Sequence, residues 1–392
     1  MKRIIWAVSA LVLLGIYLTA CGASNSSTST PTSGLTKRVL ASNSFSGRVE
    51  IADALLDRLS TFFILVASQP TQMRLTPDRS LTLVFNQTGN QIAVINNSTE
   101  TIVGSISLPD HSDGFVALDS TKGFAAVRNA SVVEALDLTN VKIAQTVNVA
   151  TPIQIALGNT GKQLLVFSDT LPGTITVVDA QKAFTDPTNA STQVNSAFFD
   201  HPIFGVFAAG DGSAYVLSCG PECGGTQAMV TKVDMTTSPP TVVSAVNVPA
   251  ATMALLDTAT LYVAGTNGGG QLSVVDTGAM TASAPVAIGD GFHWKMALDT
   301  HGHLYVGAKT CTQLRCLSIY DTGAHTATVE QDANGNGFGD FTGVQLISGR
   351  DRIYLAQGGE IRIFDTTTAT PIPQPQQIDT VGKTEDVLLI DQ

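Results

Sequence analysis

Short stretches that alternate apolar with small or polar residues recur along the chain, and each is joined to a second stretch by a tight polar loop. The clearest pair is 261–265 (LYVAG) and 271–276 (QLSVVD), separated by Thr266, Asn267 and three glycines. Alternation with a period of two is typical of strands with one more deeply buried face, and glycines can adopt the positive φ of a tight hairpin. The pattern predicts a β-hairpin.

Eight hairpins of this kind follow one another, and the second strand of each ends on an aspartate or asparagine. These end positions lie 41 to 55 residues apart, at Asp53, Asn96, Asp137, Asp179, Asp234, Asp276, Asp321 and Asp365. An apolar strand candidate precedes most hairpins, and another strand candidate follows most of them. Four strands in a repeat of about 45 residues are typical of a propeller blade. We therefore predict an all-β propeller with eight four-stranded blades, or seven if one hairpin is misassigned.

The first hairpin has no inner strand before it, whereas the chain ends in an additional strand candidate, residues 385–390. If that strand pairs into the first blade, the ring closes without an exposed sheet edge. The repeated acids also have a structural reason. An aspartate or asparagine can accept a hydrogen bond from the backbone two residues on and so start the next turn.

The repeats resemble the YVTN type of β-propeller repeat. The resemblance is carried by the strands LYVAG, LYVGA and AYVLS, by the VVD ends at Asp179 and Asp276, and by asparagines that follow strands, at Asn43, Asn86 and Asn129. It covers nearly all of residues 35–392 and implies the propeller fold. It implies no particular activity, because the shared residues occupy turn and core positions. Most members of that family have seven blades, so a count of eight departs from it.

Composition narrows the classes of function. Charged residues make up 14% of the chain and hydrophobic residues 44%, with 35 glycines, which suits many short buried strands joined by tight turns. The formal net charge of −11 would repel phosphate backbones, and no basic stripe with interleaved aromatic residues is present. Nucleic acid is therefore not expected as a partner.

The N-terminus resembles a bacterial lipoprotein signal. Lys2 and Arg3 precede a short apolar run that ends in LTAC, with Cys21 as the last residue of this lipobox-like motif. The alternative is an ordinary signal peptide in which Cys21 is incidental. We predict a signal peptide at 1–20, a Ser/Thr-rich tether at 21–34 that begins with acylated (palmitoylated) Cys21, and the propeller at 35–392. Gly22 after the cysteine favours the outer membrane.

Four further cysteines form two close pairs, each in the hairpin loop of its repeat. The pairs are Cys219 with Cys223 and Cys311 with Cys316. In an oxidising compartment such pairs favour local disulfides. A four-cysteine zinc site is the alternative, but the pairs are two repeats apart and lack the usual two-residue gap.

One loop resembles calcium-binding loops of the Asp-x-Asp-x-Asp-Gly-x-x-Asp kind. Its candidate ligands are Asp332, Asn334, Asn336, the carbonyl of Phe338, and Asp340. Alternating oxygen-bearing side chains can surround a hard cation, so one structural calcium ion is the cofactor that the sequence suggests. A solvated Asn-Gly turn is the alternative, because the twelfth position of an EF-hand loop is occupied here by Gly343.

Six polar residues lie at or near the starts of predicted inner strands, which line the mouth of the channel in propellers. They are His111, Asp113, His201, His293, Lys295 and Asp386. Ligands of propellers usually bind there, although polar residues at strand starts are more often simply solvated. No Gly-x-Ser-x-Gly, phosphate-loop or His-Glu-x-x-His motif is present.

These features favour a lipid-anchored propeller of the bacterial cell envelope that binds or assembles other molecules without catalysis. We expect its partners to be the bilayer, through acylated Cys21, and envelope proteins or polymers. The alternative hypothesis is a hydrolase of the propeller lactonase type, motivated by the polar residues at the channel mouth. An enzyme is the less favoured class, because no catalytic motif supports it.

Overall fold

A computed structural model describes residues 33–330, 338–372 and 377–392. These residues form an all-β, eight-bladed propeller, and each blade is an antiparallel sheet. The predicted lipidation residue Cys21 and the predicted calcium ligands Asp332, Asn334 and Asn336 lie outside the described residues. None of the helices in the described residues is long and apolar enough to cross a membrane.

Blades I to IV take up the first half of the ring, and their strands have the following bounds. Blade I contains β1 (Arg38–Asn43), β2 (Arg48–Asp53) and β3 (Arg58–Leu65); blade II contains β4 (Pro70–Leu75), β5 (Leu81–Asn86), β6 (Gln91–Asn96) and β7 (Thr101–Ser107); blade III contains β8 (Ser112–Ala117), β9 (Lys122–Val127), β10 (Val132–Asp137) and β11 (Lys142–Asn148); blade IV contains β12 (Pro152–Leu157), β13 (Gln163–Ser168), β14 (Thr174–Asp179) and β15 (Ser191–Asn195).

Blades V to VIII complete the ring, and the outer strands of blades VI and VIII are each broken into two pieces. Blade V contains β16 (Pro202–Phe207), β17 (Ser213–Ser218), β18 (Met229–Asp234) and β19 (Thr241–Asn247); blade VI contains β20 (Met253–Asp257), β21 (Thr260–Thr266), β22 (Gly270–Asp276), β23 (Thr281–Ala282) and β24 (Val286–Ile288); blade VII contains β25 (Phe292–Leu298), β26 (His303–Lys309), β27 (Leu317–Asp321) and β28 (Thr326–Val329); blade VIII contains β29 (Phe341–Ile347), β30 (Arg352–Gln357), β31 (Glu360–Asp365), β32 (Thr370–Pro371) and β33 (Ile378–Asp379).

The C-terminal strand β34 (Thr384–Leu389) is the inner strand of blade I, where it pairs antiparallel with β1. Inner strands of successive blades contact one another around the ring, and β34 contacts both β29 and β4. The prediction that the C-terminal strand completes the first blade is therefore confirmed, and so is the count of eight.

The described residues contain few helices, and all of them are short. They are α1 (Lys182–Thr185) and the 3-10 turns Pro187–Asn189, Ala209–Asp211, Gly220–Cys223 and Thr312–Leu314. The first two stand between β14 and β15 of blade IV. Together with the long connection to β16, they account for the widest interval between the repeated acids.

The core lies between neighbouring blades. Phe85 of blade II and Phe115 of blade III, for example, are both 1% exposed and their rings are 6.4 Å apart. The two middle strands of a blade are buried almost throughout because another sheet covers each of their faces, as in β1 and β5. An outer strand such as β3 lies at a sheet edge and is mostly exposed.

Antiparallel strands end alternately on two faces of the ring. We call the face on which the inner strands begin the mouth face. The third strands, with the repeated acids at their ends, finish on the opposite face, which we call the ladder face. On the ladder face, Asp276 accepts hydrogen bonds from the N–H groups of Gly278 (2.8 Å) and Ala279 (2.9 Å). Asp321 caps its own turn in the same way. The predicted turn role of these acids is confirmed.

Candidate functional site

A cavity of about 700 Å³ opens on the mouth face and is lined by residues of blades II to VII. Its charged wall consists of Arg74, Asp113, Arg128, Asp169 and Lys295. Its apolar wall consists of Ile153, Ile203, Phe204, Met253, Phe292 and Trp294. A cavity lined from six blades in this way lies at the mouth of the central channel, where the sequence predicts ligand binding.

Each inner strand contributes one equivalent residue to the channel, which we call the ring position. In each blade, one inner-strand residue pairs with the fourth residue of the second strand. The ring position is the residue immediately before it. In chain order the ring positions are Gln72, Gly114, Gln154, Phe204, Met253, Lys295, Gly343 and Asp386. Five of these residues line the cavity. Register shifts beside most ring positions mark β-bulges, which re-aim side chains at the mouths of barrels and propellers.

Lys295 and Asp386 occupy the ring positions of blades VII and I and form an ion pair. The Lys295 Nζ donates to Asp386 Oδ1 at 2.7 Å, and Arg74 lies 3.7 Å from Asp386 Oδ2. The same carboxylate accepts the N–H groups of Met73 (3.0 Å) and Val387 (3.1 Å). Burial lowers the pKa of Lys295, and nearby Arg74 lowers it further, whereas Asp386 opposes both effects.

Gly343 lies between these two charges, because it holds the ring position of blade VIII. Without a side chain there, the lysine of blade VII reaches the aspartate of blade I across an intervening blade. A Cβ on Gly343 would also meet the backbone nitrogen of Val387 at 2.8 Å. This glycine therefore permits two things: the ion pair between Lys295 and Asp386, which spans an intervening blade, and the close approach of β29 to β34.

Trp294 stands next to Lys295 and is held by a hydrogen bond from its Nε1 to the carbonyl of Phe341 at 2.6 Å. Two ammonium groups lie near its ring: Lys309 Nζ at 3.2 Å from the centroid and Lys295 Nζ at 5.0 Å. Burial lowers the pKa of Lys309, and the charge of Lys295 lowers it further. The ring of Trp294 thus makes cation–π contacts with two lysines that repel each other.

A smaller cleft of about 220 Å³ adjoins the cavity, and Gln72 and Trp294 line both. Its ionisable residues are His111, Lys309, Lys383 and Glu385. Lys383 and Glu385 form their own ion pair at 2.8 Å. The cleft extends the charged wall beyond Trp294.

The six channel-mouth candidates are distributed unequally. Asp113 and Lys295 line the cavity, His111 lines the cleft, and Asp386 binds Lys295. His111 Nε2 lies 3.1 Å from Asp113 Oδ1. The other two candidates, His201 and His293, are not among the residues that line either space.

The side chain of His201 contacts its own neighbour, with Nδ1 at 3.0 Å from Asp200 Oδ1. His293 is 1% exposed, and its Nε2 lies 3.0 Å from the carbonyl of Gly289. Burial lowers the pKa of His293 to about 4, so this histidine is neutral at pH 7. It is two residues before the ring position, beyond the β-bulge that re-aims the strand.

Both predicted disulfides are present, and both lie on the mouth face. Cys219–Cys223 closes the loop between β17 and β18, and Cys311–Cys316 closes the loop between β26 and β27. Cys223 lines the cavity. The adjacent Glu222 accepts the N–H of Thr266 of blade VI at 2.7 Å, so this loop is tied to the next blade.

Two of the predicted calcium ligands are described. The carbonyl of Phe338 accepts the N–H of Cys316 at 3.0 Å, and Asp340 Oδ1 accepts the N–H of Thr310 at 2.7 Å. In the described parts of the chain, no group of three or more His, Cys, Asp or Glu side chains is placed to hold a metal ion. The calcium loop stays a prediction, since its other ligands are not described.

Sequence reasoning missed Arg74, Arg128, Asp169, Trp294 and Lys309. The available signal is the register of the inner strands. Once Lys295 is aligned with Gln72, Arg74 falls two residues beyond the ring position of its own blade. Trp294 falls one residue before it. Lys309 gives no such signal, because it ends a second strand and reaches the site through the tertiary structure.

Three solved structures show the same fold at low sequence identity. Hydrazine synthase of Kuenenia stuttgartiensis is 14% identical with a TM-score of 0.56, and the match covers 80% of this chain and 96% of that one. The dihydro-heme d1 dehydrogenase NirN, in complex with DHE, is 10% identical with a TM-score of 0.69, over 90% and 75%. AztD of Citrobacter koseri in its apo form is 11% identical with a TM-score of 0.61, over 90% and 97%.

These likenesses show the propeller fold and do not extend to activity. No protein-family model and no curated protein matches the sequence. The resemblance to YVTN repeats therefore remains a prediction.

Proposed function

We propose that this protein is an extracytoplasmic, lipid-anchored binding propeller that holds its ligand at the mouth of the central channel. The observation that carries the proposal is the cavity of about 700 Å³ on the mouth face, within the range of small-molecule sites. It combines an apolar wall with a few fixed charged groups, which is the usual composition of such sites.

The state of the carboxylates favours binding over hydrolysis. Asp386 is engaged by Lys295 and lies beside Arg74, and Asp169 is paired with Arg128, while the third carboxylate, Asp113, lies 3.1 Å from His111 Nε2. A lactonase-type hydrolase needs channel carboxylates that are free to hold a cation or to act as a general base. Carboxylates in ion pairs instead fix the positions of cationic side chains, which suits recognition.

The proposed anchor leaves the cavity accessible. Ser33 is bound to Glu100, which follows the repeated acid of blade II and therefore lies on the ladder face. The cavity opens on the mouth face. A tether that enters at Ser33 attaches to the side opposite the binding site, so lipid at Cys21 would not obstruct the channel mouth.

Thermal unfolding in the presence of envelope extract tests the binding proposal. A ligand that binds only the folded state raises the melting temperature. We expect an extract fraction that stabilises the wild type and does not stabilise Met253→Trp, in which the larger ring fills the cavity. Glu360→Gln, on the third strand of blade VIII, which contributes no residue to the cavity lining, is the control. If every stabilising fraction acts equally on the wild type and Met253→Trp, the site lies elsewhere.

Acyl labelling tests the anchor separately. Labelled palmitate should be incorporated into the wild type, whereas Cys21→Ser should remain unlabelled and unprocessed. Cys219→Ser is the matched control, since it removes a cysteine but keeps the lipobox. Equal labelling of wild type and Cys21→Ser would refute lipidation at this residue.

A structural calcium ion in the loop from Asp332 to Asp340 remains part of the proposal. Calorimetry should detect one calcium ion bound by the wild type and none by Asp332→Ala. Asp351→Ala, an exposed acid on the ladder face, controls for the loss of one carboxylate. Identical heats for wild type and Asp332→Ala would remove calcium from the proposal.

A further inference from the structure

We propose that the ligand of the channel mouth is an amphipathic organic anion. Its acidic group would lie between Lys309 and Lys295 beside Trp294, and its apolar body would lie along Phe204, Phe292 and Met253. This inference rests on the proposed binding function and specifies the chemical class of the ligand.

Charge at this place favours an anion, although the chain as a whole carries −11. Arg74 and Lys295 share the carboxylate of Asp386, whereas Lys309 has no ion-pair partner among the described residues. Arg128 is paired with Asp169 and Lys383 with Glu385, and Asp113 adds a further carboxylate, so the five cations of the two spaces face four carboxylates. A local excess of positive charge therefore remains at the junction of the cavity and the cleft.

Lys309 is the strongest indication of a missing anion. Its ammonium lies 3.2 Å from the centroid of the Trp294 ring, and among the described residues no carboxylate lies within ion-pair distance of it. Half-buried charges are costly unless they are paired. Burial lowers the pKa of Lys309 and the charge of Lys295 lowers it further, whereas Glu385 and Asp340, beyond ion-pair distance, oppose these effects. An anion between the two ammonium groups would relieve both the desolvation and the repulsion.

The opposite wall favours an apolar body. Phe292, at the start of β25, keeps 43% of its surface exposed, which is high for a phenylalanine in a concave site. Phe204 and Met253 occupy the ring positions of the two preceding blades and continue this surface. Phe292, Trp294 and Lys295 belong to one strand, and all three line the cavity. The apolar wall and the charged wall therefore meet at this strand.

Size selects a small molecule over a macromolecule. A space of about 700 Å³ accommodates a single drug-sized ligand. Lys295 and the apolar wall line this cavity, and Lys309 lines the adjoining cleft of about 220 Å³, which shares Trp294 with it. Octanoate and octyl phosphate carry the required combination of an acidic head and an apolar body. They share anion chemistry and differ in the head group.

Tryptophan fluorescence provides a reporter inside the site. The chain has two tryptophans, Trp6 and Trp294, and Trp6 lies in the predicted signal peptide. The Trp6→Phe protein therefore reports on Trp294 alone, with or without the signal peptide. We would titrate it, in zwitterionic lipid nanodiscs, with octanoate, octyl phosphate, octanol and octylammonium. We expect saturable changes with the two anions and affinities for octanol and octylammonium that are at least tenfold lower. The better of the two anions identifies the head group.

Variants of Lys309 test the residue that carries the argument. Lys309→Gln should weaken the binding of the anion about tenfold, and Lys309→Arg should retain most of it. Loss of this charge relieves repulsion, so the fold is not at risk. Lys122→Gln is the matched control, because Lys122 also lies on an aromatic ring, 4.9 Å from the centroid of Phe184, but on the ladder face. It should bind as the wild type does.

The outcomes separate the two proposals. If octylammonium or octanol binds as well as the anions, or if Lys309→Gln binds octanoate as the wild type does, the anion inference is wrong while binding at the mouth stands. If none of the four compounds changes the Trp294 signal, the anion inference is also wrong. The binding function then depends on the Met253→Trp comparison, because the extract fractions used there contain ligands of any charge.

Discussion

The two faces of the ring use carboxylates in different ways. On the ladder face, Asp276 is exposed and accepts backbone N–H groups of its own turn, which lowers its pKa. On the mouth face, Asp386 is 3% exposed and is engaged by Lys295, a residue 91 positions away in the chain. The aspartates and the asparagine that end the third strands serve local turns, whereas Asp386, the only acid at a ring position, joins distant blades and shapes the site.

The largest difference between the faces should appear when one carboxylate on each is neutralised. Asp386→Asn leaves Lys295 and Arg74 without their carboxylate in a largely buried place, so we expect a loss of about 3 kcal/mol in the free energy of unfolding. Asp276→Asn keeps an oxygen that can cap its exposed turn and should change the urea midpoint far less. Equal losses would mean that the mouth pair is no more than a surface ion pair.

A double variant separates the charge from the shape of the site. Lys295→Met combined with Asp386→Asn removes both partners of the pair. It should recover part of the stability that Asp386→Asn loses, because no unpaired lysine remains. Urea unfolding of the four proteins of this cycle measures the recovery.

The pH dependence of stability should depend on buried His293 of the mouth face. Its pKa of about 4 lies below the ordinary value of 6.5, so the unfolded chain takes up a proton first as the pH falls. Stability from this group is full above pH 6.5 and is lost as the pH falls towards 4. We expect a loss of about 2 kcal/mol between pH 7 and pH 5.

Substitution of this histidine checks the assignment. His293→Gln should remove that part of the pH dependence, as measured by urea unfolding at both pH values. His111→Gln, at a histidine whose side chain is 38% exposed, is the matched control variant. The same slope in wild type and His293→Gln would show that another group titrates.

Gly343→Ala should disturb the mouth face more than a comparable change on the ladder face. The new Cβ would meet Val387 and press β29 against β34, at an expected cost of about 1 kcal/mol. Gly212→Ala is the control, since the nearest atom to its new Cβ is 3.8 Å away, on Thr236. Thermal unfolding of both variants measures the difference, and a neutral Gly343→Ala would contradict the close approach of the two strands.

The smallest effect is expected from a single turn of the ladder face. Hydrogen bonds from Ala279 and Gly278 lower the pKa of Asp276, so its contribution is present above the ordinary aspartate pKa and is lost as the pH falls below it. Asp276→Ala should therefore lower the urea midpoint slightly at pH 7 and hardly at all at pH 3. A larger effect at pH 3 would contradict the capping role.

Most of the fold could be predicted from sequence patterns. The repeated acids, the hairpin loops and the closing C-terminal strand could be predicted because turn chemistry and strand alternation are local properties of the chain. The two disulfides could be predicted for the same reason, since each joins cysteines of one loop.

The site could be predicted from the sequence only in part. Lys295 and Asp386 stand out as polar residues at strand starts, but their pairing depends on ring closure and on the missing side chain of Gly343. Trp294 and Arg74 lie beside the ring positions, and that register is defined only when all eight inner strands are paired. His293 and Lys295 are both polar residues near the start of the same inner strand. A β-bulge between the two nevertheless directs the side chain of His293 into the blade.

The amino-acid sequence by itself determined the blade, its turns and the number of its repetitions, because each depends on residues a few positions apart. Only the tertiary structure decided which side chains meet across the channel. The ring brings together strands that are far apart in the chain, such as β4, β25 and β34. Where charges from three such strands converge, distance and burial decide which ion pairs form, and neither quantity can be obtained from the order of residues alone.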